Sequence, residues 1–159
     1  MTTTRLTKRG RAFALEGIGD AATLETGGSM RRGKITVNGD TLPVEVNHPR
    51  RLGITVGDGK DPIMRLTPGQ SQVPGSTQPA HWDVSRSFRG YRAVLTRGEA
   101  RIEFSLPKLR GKSVDVSVTG EWAYLELVAL AACFALLARR RGDTLRAVAV
   151  ATASGPQGR

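Results

Sequence analysis

Two stretches of this chain hold residue types capable of catalysis or of metal binding. His81, Asp83 and Ser85 alternate within the segment His81 to Phe88 and supply the parts of a nucleophilic hydrolase. A triad needs its nucleophile bonded to a base that a third group orients. Three side chains alternating along one strand project in parallel from a single face, and the chain has no Gly-x-Ser-x-Gly elbow. The segment therefore reads as a polar, solvent-facing strand. The second stretch, Asp58-Gly59-Lys60-Asp61, resembles the start of a calcium loop. It lacks the later bidentate carboxylate, and Lys60 puts a positive charge where the cation would sit, so a hairpin turn is expected. His48, in the turn Asn47-His48-Pro49, has no acidic partner at zinc-ligand spacing. The single cysteine, Cys133, excludes an intramolecular disulfide and a multi-cysteine metal cluster. It lies among apolar residues, as an inert core thiol would. Gly17-Ile18-Gly19 and Gly57-Asp58-Gly59 lack the strand–loop–helix setting of a phosphate-binding loop. The chain is expected to be no enzyme, with no catalytic residue, no metal and no cofactor.

Arginine is the remaining chemistry. Lys and Arg number 24 against 14 Asp and Glu in 159 residues, a formal charge of +10. Such an excess favours anionic partners, either phospholipid surfaces or nucleic acid. The basic residues are scattered, with Arg139-Arg140-Arg141 the longest run. Two pairs, Arg31-Arg32 and Arg50-Arg51, converge at the open end of a hairpin if its turn is centred on Asn38-Gly39. That register places Arg31 and Arg32 opposite Val46 and Glu45, with Glu45 neutralising part of the cluster. Arginine suits bidentate phosphate contact, so Arg31, Arg32, Arg50, Arg51, Arg139, Arg140 and Arg141 are the candidate anion- or lipid-binding residues. Two Trp, two Tyr and four Phe are too few for the stacking platform of a single-strand nucleic-acid binder. No helix-turn-helix or RNP-like pattern is present.

The elements that would position these residues read as a string of hairpins. Gly33 to Val37 and Thr41 to Val46 flank Asn38-Gly39-Asp40, and Asn-Gly is a strong signal for a type I′ turn. Leu52 to Val56 and Pro62 to Leu66 flank another turn, and residues 67–80 read as a loop. His81 to Phe88 and Tyr91 to Arg97 sit either side of Arg89-Gly90, with Trp82, Val84 and Phe88 on one face. Ile102, Phe104 and Leu106 alternate, as do Val114, Val116 and Val118, and Leu145 to Ala151 reads as a last strand. About eight or nine short strands at this spacing argue for an all-β sandwich or barrel.

One segment departs from that pattern. From Trp122 to Ala138 only Glu126 is charged. Thr119 offers an N-cap, Arg139 to Arg141 suit the negative end of a helix dipole, and Gly142 suits C′. A helix over about 120–141 follows. It has no polar stripe, so protein or lipid must enclose it. The preferred fold is mainly β, an antiparallel barrel or strongly curved sheet around this one hydrophobic helix. A second reading is a tail-anchored membrane protein using residues 122–138, and a third a basic nucleic-acid-binding protein.

The stretch from Val114 to Leu130, VDVSVTGEWAYLELVAL, resembles the end of the tubby-like superfamily, closest to LURP-one-related and phospholipid-scramblase-like proteins. Ala132-Cys133-Phe134 resembles the scramblase helix, so the likeness runs mainly over 114–138. Arg139 to Arg141 depart from it, since family helices often end in an acidic residue. The resemblance implies a closed antiparallel barrel threaded by a helix and a non-enzymatic module that binds an anionic surface such as phospholipid headgroups. No residue-level phosphoinositide motif carries over. The domain organisation expected is a basic, flexible arm over 1–20, a single β-rich domain over 21–153 and a disordered tail over 154–159. Arg5, Lys8, Arg9 and Arg11 lead into too short an apolar run for a secretory signal. A cytoplasmic location, peripheral to a membrane, is expected.

Overall fold

The computed structural model describes residues 1–17, 22–47, 53–107 and 113–153. It is an antiparallel barrel threaded by one helix. The strands are β1 (Thr2–Arg9), β2 (Ala12–Leu15), β3 (Ala22–Thr26), β4 (Arg32–Val37), β5 (Asp40–Val46) and β6 (Ile54–Gly57). They continue with β7 (Pro62–Leu66), β8 (Gly69–Ser71), β9 (Ala80–Ser87), β10 (Gly90–Arg97), β11 (Ala100–Pro107) and β12 (Val114–Thr119), before helix α1 (Leu125–Ala153). The twelve strands form one sheet in the order β7-β6-β5-β4-β3-β2-β1-β12-β11-β10-β9-β8. Almost every strand pairs with its neighbours in sequence, and the ends of the chain's β region meet where β1 pairs with β12, Thr2 opposite Val118 and Leu6 opposite Val114. The remaining seam, between β7 and β8, is stitched by a bridge in which Arg65 and Gln72 exchange backbone hydrogen bonds of 3.0 and 2.9 Å. Near-closure removes the exposed strand edges on which other chains could template.

The expected Asn-Gly turn is present. Asn38 and Gly39 have φ of 52° and 88°, and Val37 faces Asp40 across a two-residue loop, as a type I′ turn requires. The interior follows the period-2 rule. Ile102, Phe104 and Leu106 of β11 are buried, as are Val114, Val116 and Val118 of β12, while the residues between them face out. Eight strands make a barrel whose lumen side chains alone can fill. Twelve make a wider one, and α1 occupies the extra space. Every residue from Leu127 to Ala138 is buried. Alanine at 129, 131, 132, 135 and 138 keeps the helix slim enough to thread the lumen. Where the bulky Phe134 meets the wall, β4 carries Gly33. A Cβ there would lie 3.4 Å from Phe134 Cε1 and 2.6 Å from the Glu25 carbonyl. On the opposite wall Trp82 packs edge-on against Phe104, with ring centroids 5.9 Å apart.

Several expectations need correction. The segment expected as a mobile arm over 1–20 supplies β1 and β2 instead, with Leu6, Phe13 and Leu15 in the core. β1 carries a single apolar residue, Leu6, among polar and basic neighbours, and β2 is only four residues long, so neither shows an alternation of apolar and polar residues. The barrel has twelve strands, where about eight or nine were expected, and one of the extra strands is β8, inside the presumed loop 67–80. Its Ser71 is buried and satisfied: its hydroxyl donates to the Thr67 carbonyl and accepts from the Thr67 amide. Phe88 is not on the buried face with Trp82 but is 82% exposed in the β9–β10 turn. The helix spans Leu125–Ala153 rather than 120–141, and Leu145 to Ala151 are its continuation rather than a strand. Extending a formed helix adds one hydrogen bond per residue with no nucleation cost, which overrides the roughly 1 kcal/mol handicap of Gly142. The tail-anchor reading also fails, because residues 127–138 are caged by the sheet. Among the described residues no helix is long and apolar enough to cross a membrane. The expected tail, 154–159, lies outside the described residues.

Candidate functional site: a basic rim around the emerging helix

Because all neighbouring strands are antiparallel, the turns alternate between two rims. The helix enters at the lower rim, after β12, and leaves at the upper rim. The upper rim holds the turns β1–β2, β3–β4 and β9–β10. Lys8, Arg9, Arg11, Arg31 and Arg89 are exposed there, beside Arg140 and Arg141 of the helix. The lower rim holds the turns β4–β5, β6–β7 and β10–β11. Asp40, Asp58, Asp61, Glu99 and Glu121 are exposed there. Lys60 also lies at the lower rim, as does Arg97, whose guanidinium stacks 4.7 Å above the Trp122 ring and donates to the Glu121 carbonyl. Eight-residue strands at barrel tilt separate the rims by about 20 Å. That is more than the roughly 8 Å screening length at physiological salt, so each rim presents its own field.

Two acidic residues of the upper rim, Glu45 and Asp143, are already engaged, while Glu25 on β3 is exposed there. Arg32 Nε lies 3.0 Å from Glu45 Oε1 across the β4–β5 ladder, with both side chains largely exposed. The expected register is therefore correct, and so is the expected partial neutralisation by Glu45. Asp143 has a side chain only 8% exposed and ties the helix to the rim. Its Oδ2 accepts a 2.7 Å hydrogen bond from the Tyr91 hydroxyl and lies 3.5 Å from Arg86 Nη1 and 3.7 Å from Arg139 Nε. Its Oδ1 pairs with Arg146. Burial, then the bond to Asp143, pushes the Tyr91 phenol up to about 12. Arg140 donates from Nη1 to the Pro107 carbonyl at 2.8 Å, and its partial burial lowers its pKa. Helix and wall are thus joined at two points where α1 leaves the barrel.

Of the seven candidate arginines, the structure puts Arg31, Arg32, Arg139, Arg140 and Arg141 on this one rim. Arg141 is exposed, Arg139 and Arg140 are half-buried, and Arg50 and Arg51 lie outside the described residues, as does His48. The rim also contains basic residues that the sequence reading did not single out: Lys8, Arg9, Arg11, Arg86, Arg89 and Arg146. Asp143 was missed as well. Its signal was the spacing Arg139–Asp143–Arg146, which at i−4 and i+3 places three charges on one face of a helix that does not stop at Gly142.

The residues considered for catalysis stay apart from this rim. His81, Asp83 and Ser85 face solvent from β9, opposite Thr96, Val94 and Arg92. Asp58 caps its own turn, its carboxylate accepting from the Lys60 amide at 3.1 Å and its carbonyl from the Asp61 amide at 3.2 Å. Among the described residues no cluster of His, Cys, Asp or Glu could hold a metal ion. Cys133 is fully buried in the helix, and desolvation raises its thiol pKa well above the ordinary range. Comparison with known protein families, with characterised proteins and with solved structures finds no match.

Proposed function

We propose that this chain is a non-enzymatic barrel module, akin to the tubby-like, LURP-one-related and scramblase-like proteins, that docks on an anionic phospholipid surface from the cytoplasmic side and remains peripheral to it. The observation that carries the reading is the separation of charge between the rims, basic where α1 leaves and acidic where it enters. A net charge spread evenly would be an effect of composition, whereas a segregated one gives the molecule a preferred face. Arg9, Arg11 and Arg31 are exposed at turns and bear no structural load in the core. Each basic residue held near an anionic membrane contributes about 1 kcal/mol, so a handful of such contacts reaches useful affinity without a pocket.

Sedimentation with vesicles at physiological salt tests this. Binding is expected to phosphatidylcholine vesicles containing phosphatidylserine and not to phosphatidylcholine alone. Reversing three rim charges together (Arg9→Glu, Arg11→Glu, Arg31→Glu) is expected to weaken binding by about a hundredfold or more, while Lys60→Glu at the opposite rim leaves it unchanged. Equal non-binding to both vesicle types, or retention on duplex DNA in place of vesicles, overturns the reading.

A further inference from the structure

The upper rim carries more than charge. Phe88 is 82% exposed at the tip of the β9–β10 turn, with the Arg89 guanidinium 5.5 Å from its ring. Beyond the Asp143 clamp, α1 continues clear of the barrel for about 15 Å, with Leu145 41% and Val148 57% exposed. These two are one turn apart and share a helix face. From Ala147 to Thr152 the helix carries no charge. The turn and the helix are held side by side, because Tyr91 and Arg86 from the two arms of that hairpin both contact Asp143. Large apolar side chains are also exposed at the lower rim, Met1, Ile63 and Tyr124, but there Asp40 and Glu126 line the hollow that holds Ile63 and Tyr124.

We propose that Phe88 and the Leu145–Val148 face of the projecting helix insert into the boundary between headgroups and acyl chains of an anionic bilayer, standing the barrel on its upper rim. The proposal rests on the docking reading above and adds to it a hydrophobic component and an orientation. The occupant follows from charge complementarity. The apolar side chains project from a collar formed by Arg89, Arg139, Arg140, Arg141 and Arg146, and an aromatic and aliphatic face bordered by arginines matches an anionic interface, where the cations meet headgroups while the apolar groups sit several ångströms deeper. Insertion is shallow. The guanidinium collar stops at the headgroups, and the carbonyls at the helix C-terminus need water or polar partners.

The test uses the full chain with a single introduced thiol carrying an environment-sensitive fluorophore; the buried Cys133 leaves the new thiol as the reactive one. Ser87→Cys and Ala149→Cys report on the two inserting elements while keeping Phe88, Leu145 and Val148, and Asp61→Cys reports on the opposite rim. With phosphatidylserine-containing vesicles, blue-shifted emission is expected from the first two and none from Asp61→Cys. The combined variant Phe88→Ser, Leu145→Ser, Val148→Ser changes only exposed side chains, so its thermal unfolding should match the parent. Its affinity for these vesicles is expected to fall about tenfold or more, and the residual binding should vanish at high salt, where the parent's persists. If the protein sediments with anionic vesicles but neither fluorophore shifts, or the triple variant binds with the parent's affinity and salt dependence, insertion is wrong and electrostatic docking stands. Absence of sedimentation altogether overturns the docking reading and this one with it.

Discussion

The two halves of α1 are built from much the same residues and live in opposite surroundings. Leu127 to Ala138 and Leu145 to Val150 are both rich in Ala, Leu and Val, yet the first is wholly buried and the second exposed. The boundary between them is polar: Arg140, through Pro107, and Asp143, through Tyr91 and Arg86, fix the helix to the rim where it leaves the barrel. Propagation of the helix through Gly142 makes the second half helical as well, while the barrel's finite height decides which half is core and which is surface.

The largest effect expected from breaking that contrast comes from one charge placed in each half. Leu130→Asp buries an unpaired carboxylate in a dry lumen, a cost of several kcal/mol that a marginally stable domain does not survive. Val148→Asp should change stability by no more than about 0.5 kcal/mol. Denaturant unfolding of the two proteins checks the pair, and equal effects would contradict a caged first half. Next in size is the wall itself. Gly33→Ala forces a methyl against the Glu25 carbonyl and the Phe134 ring, and overpacking of this kind costs about 1–3 kcal/mol. Pairing it with Phe134→Leu should recover part of the loss on the Phe134 side, which a double-mutant cycle would read.

The clamp sharpens the comparison from the middle. Asp143→Asn keeps the shape but removes the charge that Arg86, Arg139 and Arg146 share, for an expected loss of about 1–2 kcal/mol. Hydrogen exchange should then quicken over 144–153 and stay slow over 127–138. Uniform quickening would mean that the halves are not separable. At neutral pH the smallest effect is that of Tyr91, which shows only in alkaline solution. Tyr91 has its pKa raised from 10.0 to about 12 by burial and then by Asp143, so between those values the folded state holds a proton that the unfolded chain has released. Stability is therefore unaffected by this group below pH 10 and declines as pH rises toward 12. The decline should be smaller in Tyr91→Phe, measured by unfolding at successive pH values.

Much of the fold was legible because its signals are local. The Asn38-Gly39 turn alone sets the register that places Arg32 against Glu45, and strict alternation marks β11 and β12. β1, β2 and β8 were not legible. β1 is long but polar, with Leu6 its one buried apolar residue, and it gains its place through β12 more than a hundred residues away; β2 and β8, four and three residues long, are too short to show an alternation. Phe88 was misjudged because alternation says nothing about where a strand ends and its turn begins. Of the candidate site, the individual arginines could be picked out, but their shared rim could not, since residues 9, 31, 89 and 140 meet only when the barrel rolls up.

Local patterning and composition alone dictate that a greasy, alanine-rich helix must be enclosed, that antiparallel hairpins do the enclosing, and that the chain carries a large positive charge. These follow from periodicity, turn chemistry and composition, which act between near neighbours. Only the tertiary structure decided how many strands close around the helix, where the helix emerges from them, and that the charge divides between two ends. Those depend on strand direction and register summed around a whole barrel.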